Sequence, residues 1–237
     1  MAGVAAWVES VWQRLLAVGP PPAPSIVLFA AALALFAVLY LPVWRVVRHV
    51  STMAHEGGHG AVAALVGRRF LGIELRRDTS GASYSSGAHG IGRVAELMAG
   101  YVAPPVLGLG LIQLIMGGHV AGALWGSLLL LALGFLVTRN PFGSLLMVVT
   151  AIVVGAFIRY GSPTVQGAFL AALCWFLLIS AVRNVIDLQR MRRSGRAVLS
   201  DADQLADLTG VPGIGWVGLF AAADAAMLCV GAYWLLR

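Results

Sequence analysis

Long apolar stretches alternate with short polar breaks along this chain. Stretches at about 25–44, 91–117, 120–137, 141–158, 164–188 and 212–236 are apolar almost throughout. Most approach or exceed the ~20 residues that a helix needs to cross a bilayer. Gly100-Tyr101 and Pro104-Pro105 interrupt the second of them, where a break or kink is expected. A shorter stretch at 51–66 is marginal for a crossing, about 24 Å long as a helix. Residues 5–18 place Trp7 and Trp12 at helical spacing and run into Pro20-Pro21-Pro22, which predicts an interfacial amphipathic helix over an N-terminal segment 1–24 and no cleavable signal. Between 68 and 90 the period changes. Phe70 to Leu75 alternate, Asp78-Thr79-Ser80-Gly81 has turn chemistry, and Ala82 to Gly87 returns, so a β-hairpin is expected at about 70–88. Ser200-Asp201-Ala202-Asp203 predicts an N-capped short helix within a basic loop at about 189–210.

The predicted fold is an all-α polytopic membrane protein. It has six to seven transmembrane or re-entrant helices, one short hairpin, and a single membrane-embedded domain over 25–237. Composition agrees: 59% of the 237 residues are apolar and 11% are charged, against roughly 25% charged in soluble domains. The net charge of +6 comes from 16 arginines and no lysine. A nucleic-acid partner would need a basic face on a soluble domain, and no such domain is present. The bilayer is the expected partner, and the Arg-only, Ala- and Gly-rich usage points to a bacterial plasma membrane. Cys174 and Cys229 both lie in apolar runs and read as small hydrophobes.

His55-Glu56-Gly57-Gly58-His59 changes the picture from a membrane scaffold to a site. On a helix, residues four apart share a face, so both imidazoles can reach one metal ion. Glu56 then stands where it can accept a proton from water. Leaving three ionisable groups unpaired in an apolar setting is costly, and a bound Zn²⁺ removes that cost. Gly57, Gly58 and Gly60 weaken the helix but let another backbone come close.

Arginine placement bears on topology. If the loop with Arg190, Arg192, Arg193 and Arg196 is cytoplasmic, counting back puts 67–92 inside as well, and Arg45 and Arg48 also end inside. The 51–66 stretch is then re-entrant, or the hairpin folds back beside it. A third zinc ligand must come from elsewhere, with one coordination position left open. Glu96, Asp187, Asp224, His89 and His119 are the candidates. Asp187 is preferred, because it lies at the depth where the re-entrant reading puts His55. Its competing role is an ion pair with Arg183 or Arg190 on one helix face. Glu96 reads as a partner of Arg93, and Asp224 as a buried hydrogen-bonding group.

The motif, the strand-like stretch with Gly81, and Gly100-Tyr101 followed by Pro104 resemble the site-2-protease class of integral-membrane zinc metallopeptidases. The resemblance is closer to the small B-like branch without a PDZ domain, and Arg139-Asn140 with Gly143, the Asp187 segment and Ser200-Asp201-Ala202 share it. It covers about 45–220. It implies that His55 and His59 bind zinc, that Glu56 is catalytic, and that Asp187 is the third ligand, although better-known members carry Leu-Asp-Gly where this chain has Ile186-Asp187-Leu188. Gly57, Gly58, Gly100, Tyr101, Pro104, Asn140 and Asn184 are expected to shape the site. The implied activity is hydrolysis of peptide bonds in membrane-protein or peptide substrates. Two other readings are a zinc-binding membrane protein without turnover, which needs a fourth protein ligand, and a transporter, which needs charges along several helices.

Overall fold

The computed structural model describes residues 9, 13, 17–87, 90–195 and 200–237. Most of the expected interfacial helix at 5–18 lies outside these residues, as do His89 and Arg196. The described residues form eight helices and one hairpin: α1 (Pro24–Leu39), α2 (Leu41–Leu65), β1 (Arg69–Leu75), β2 (Gly81–Ser86), α3 (Ile91–Met116), α4 (Val120–Val137), α5 (Pro141–Tyr160), α6 (Pro163–Arg193), α7 (Asp201–Thr209) and α8 (Gly213–Leu236). Helices α3, α4, α5, α6 and α8 are each long and apolar enough to cross a membrane, and the α1–α2 pair makes a sixth candidate if counted as one broken element. The chain is an all-α polytopic protein with a small hairpin.

The first apolar stretch departs from expectation. It does not run as one helix to residue 44 but turns by 103° between α1 and α2. Pro42 explains the break, since it has no N–H to donate to the Val38 carbonyl four residues back. Tyr40 takes an extended conformation (ψ 108°) at the corner. The freed Val38 carbonyl accepts a hydrogen bond from Arg183 of α6 at 2.6 Å. Arg45 and Arg48 therefore sit on the motif helix itself rather than at the end of a preceding span. Helix α3 is not broken at Pro104 and Pro105, which both lie inside it and are buried. The prolines leave the Gly100 and Tyr101 carbonyls without helical donors.

The hairpin is antiparallel, with Leu75 opposite Gly81 and Arg69 opposite Ser86. The register slips between Phe70 and Gly72. Gly72 has φ +133°, and a side chain there would strike the Val137 carbonyl and Arg139. The outer edge of β1 is covered by the chain between α4 and α5. Ile73 bridges Thr138 in parallel, and the Arg139 N–H donates to the Ile73 carbonyl at 2.9 Å. The Asn140 amide completes the cover, accepting from the Leu75 N–H at 3.1 Å and donating to the Leu75 carbonyl at 2.7 Å.

Helix α6 is the central post, packed against α1, α3 and α8. The largest core cluster joins Val27 and Ala34 of α1, Ile112 and Ile115 of α3, and Leu170, Leu177 and Leu178 of α6. A second cluster holds Leu97, Val185, Leu188, Leu205 and Phe220, and it fastens the short α7 against α3, α6 and α8. A third, of Met53, Ile73, Leu75 and Met147, clamps β1 between α2 and α5. The outward faces of α1, α4 and α5 keep large apolar side chains exposed, among them Phe29, Leu129, Leu136 and Ile152. Lipid is the solvent that such surfaces match.

Candidate metal centre

The i, i+4 spacing on α2 brings the two imidazoles together, with His55 Nε2 3.1 Å from His59 Nε2. The third group is Asp201, the first residue of α7. Its Oδ2 lies 3.2 Å from His55 Nε2 and 3.4 Å from His59 Nε2. These three offer ligand atoms within 4.8 Å of one another, the arrangement a single metal ion needs. Ser200 caps α7 and engages Asp203, which also pairs with Arg192. Asp201 is thus left out of the capping interactions and turned toward the histidines. Burial alone would raise the Asp201 carboxyl, but the positive charge of His59 and hydrogen bonds from both histidines hold it well below the usual carboxylate range.

The surroundings orient this set. His59 Nδ1 donates to the Glu96 carbonyl at 2.7 Å, which fixes the ring with its Nε2 toward Asp201. The Tyr101 ring stands edge-on to His55, with centroids 4.8 Å apart, and stacks on Phe220 at 4.7 Å. A Cβ at Gly100 would run into both imidazoles, so only glycine lets α3 come this close. Gly58 does the same for α2, since a side chain there would meet Ala99 and Ala103. Glu56 is buried and accepts a hydrogen bond from the Ser83 hydroxyl at 2.6 Å. Gly81 of β2 lies directly against the Glu56 carboxylate. A cavity of about 390 Å³ joins these groups, bounded by α2, β2, α3, α7 and the end of α6.

Glu96 pairs with Arg93 at 2.7 Å, as its spacing suggested, and also with Arg68 at 2.6 Å. Its Oε1 further accepts from Ser85 at 2.6 Å. Arg93 reaches on to Gln204 of α7 at 2.8 Å, so one buried network ties the hairpin, α3 and the Asp201 helix together.

Asp187 is not brought to the histidines. It sits between Arg183 (3.6 Å) and Arg190 (3.4 Å) on one face of α6, the ion-pair role that competed with ligation. Depth in the membrane put it near His55, but helix phase turns it away: Leu188 and Met191 are the α6 residues facing the site. Asp224 is fully buried, yet neither oxygen has a hydrogen-bond partner among the described residues, contrary to the expected pairing. Asn184 donates to Ser51 at 2.7 Å and braces α2 against α6 one turn before His55. Asn140 covers the edge of β1, remote from the imidazoles, and Pro104 lies one turn beyond Gly100. Gly57 has open space at its Cβ position and makes no close approach.

A family model for peptidase M50B-like proteins matches residues 28–231, a region that includes every group of this site. The chain belongs to the peptidase M50B-like family. Membership groups it with membrane metallopeptidases of the site-2-protease type, in keeping with the resemblance seen in the sequence. No curated protein and no solved structure matches it.

Proposed function

We propose that this M50B-like protein is an intramembrane zinc endopeptidase in which His55, His59 and Asp201 hold the metal and Glu56 is the proton carrier. The observation that carries the reading is the convergence of three donor atoms, two neutral-capable nitrogens and a carboxylate oxygen, beside a buried glutamate. This donor set suits zinc, and three protein ligands leave a coordination position for chemistry. A bound zinc ion would supply the positive charge that makes water acidic and the scissile carbonyl electrophilic.

The protein's own residues account for the rest. Glu56, aligned by Ser83, takes a proton from the attacking water and passes it to the leaving amine. The Glu96 carbonyl keeps His59 in the tautomer that presents Nε2. In the described residues β2 pairs only with β1, so no strand occupies its second edge, and Gly81 of β2 lies against Glu56. An extended substrate segment can add there as a strand. Unwinding matters because a helical substrate hides its carbonyls in internal hydrogen bonds. The Gly100 and Tyr101 carbonyls, deprived of their i+4 donors by Pro104 and Pro105, offer acceptors to water near the imidazoles.

The test is metal content of the purified full-length protein. Wild type is expected to carry about one zinc per chain, the stoichiometry of a mononuclear site. Asp201→Ala and the His55→Ala, His59→Ala pair are expected to lose it. Full zinc retention in the double histidine variant overturns the site.

A further inference from the structure

A second concavity, of about 640 Å³, lies across the last turns of α6 from the metal centre. Five arginines line it: Arg45 and Arg48 from α2, Arg77 from the hairpin turn, and Arg183 and Arg190 from α6. Only two carboxylates share the cavity, Asp78 and Asp187. Asp78 already accepts from the Ser80 N–H (3.0 Å) and hydroxyl (2.6 Å). Asp187 is shared between Arg183 and Arg190. Among the described residues, Arg45, Arg48 and Arg77 form no ion pair. Three like charges held in one hollow repel one another, and nothing in the chain's own charge balance requires them there.

The surroundings say what anion would fit. Arg48 and Arg183 both lie against the buried Trp44 ring, 5.7 and 5.1 Å from its centroid, and Arg77 lies 5.9 Å from the Phe142 ring. These rings hold the guanidinium planes in place. Planar guanidinium forks match phosphate oxygens two at a time. Beside the cavity, the α1–α2 corner leaves Leu39, Tyr40 and Leu41 exposed at 63%, 51% and 48%. An arginine hollow with an apolar rim fits a molecule having a phosphate at one end and hydrocarbon at the other. Basic pockets between membrane helices take such headgroups on the side where arginine is concentrated.

We propose that this cavity binds the phosphate of an anionic phospholipid, with its acyl chains along the α1–α2 corner. A lipid there would neutralise Arg45, Arg48 and Arg77 and brace the start of α2, the helix that carries His55 and His59. The site is separate from the metal centre and does not depend on catalysis.

Full-length protein, delipidated in detergent, would be titrated with phosphatidylglycerol and with phosphatidylcholine, and bound lipid counted by native mass spectrometry. We expect phosphatidylglycerol to bind at least ~10-fold more tightly. The Arg45→Gln, Arg48→Gln, Arg77→Gln variant should lose about 100-fold in that affinity, a factor of roughly five per arginine. A control removing the same charge elsewhere, Arg159→Gln, Arg193→Gln, Arg237→Gln, should leave it unchanged. Arg45→Gln alone should weaken binding about five-fold and is the variant to rely on if the triple one does not fold. Equal loss in the control, or equal affinity for the two lipids, overturns the proposal. Inorganic phosphate or an acidic peptide binding the cavity as tightly as the lipid would equally overturn it, by assigning the hollow to a soluble anion or a polypeptide.

Discussion

Gly100→Ala adds one methyl group to α3 at the point where α3 meets the His55 and His59 imidazoles. The new Cβ would stand 2.6 Å from His55 Cε1 and closer still to His59 Nε2. To reach an ordinary contact of about 3.4 Å, both rings or the α3 backbone must give way by most of an ångström. Moving the rings away from α3 would break the edge contact of His55 with Tyr101 and the hydrogen bond of His59 to the Glu96 carbonyl. Overpacking of this kind costs about 1–3 kcal/mol. Displacing the reacting groups by about 1 Å costs about 10²-fold in rate. The same substitution at Gly110, on the same helix, meets nothing within 4 Å. There alanine should stabilise by about 0.5–1 kcal/mol through helix propensity alone. The assay is zinc competition with a colorimetric chelator, beside thermal unfolding in detergent. Gly100→Ala should bind zinc at least ~10-fold more weakly than wild type and melt lower, and Gly110→Ala should match or exceed wild type in both. Wild-type zinc affinity in Gly100→Ala would refute the placement of α3 against the imidazoles.

Other expectations follow from the same geometry. Asp187→Ala should retain zinc, because Asp187 is engaged with Arg183 and Arg190, whereas Asp201→Ala should lose it; inductively coupled plasma analysis of both proteins separates the two acids. Arg68→Ala leaves the buried Glu96 short of a partner and should destabilise the protein by about 3 kcal/mol, read as a lowered unfolding midpoint, with no change expected in Arg69→Ala at the exposed start of β1. Asn140→Ala removes both hydrogen bonds to the buried Leu75 backbone and should cost about 1–3 kcal/mol, seen as faster hydrogen exchange at the Leu75 amide.

Much of this architecture is legible in the sequence because lipid makes the pattern simple. A span must be long and apolar, and the stretches at 120–137 and 212–236 are recognisable nearly to the residue. The hairpin was equally plain, since Asp78 to Gly81 has no other good use. The corner at Tyr40 was hidden by apolar residues on both sides, and Pro42 was its one signal. At the candidate site, His55, Glu56 and His59 are local and readable. Asp201 is not, because a group delivered from 142 residues after His59 depends on how α7 docks. A clue was present: Asp201, Asp203 and Asp207 gather after a run of arginines, and capping needs only one of them. Asp187 misled because depth in the membrane does not determine helix phase. The residues that hold the Glu56 and Glu96 carboxylates, Ser83, Ser85 and Arg68, carry no motif and become visible only when the hairpin closes over α2.

The most direct test of the central claim is peptide cleavage by Glu56→Gln, with zinc content measured on the same preparation. Glutamine keeps the shape and the Ser83 contact but cannot accept a proton from water. A library of single-span membrane peptides in detergent supplies the substrates, and wild type sets the reference rate. The account predicts a folded variant with about one zinc per chain and cleavage reduced at least ~10²-fold. Cleavage at the wild-type rate by the zinc-loaded Glu56→Gln protein would contradict it.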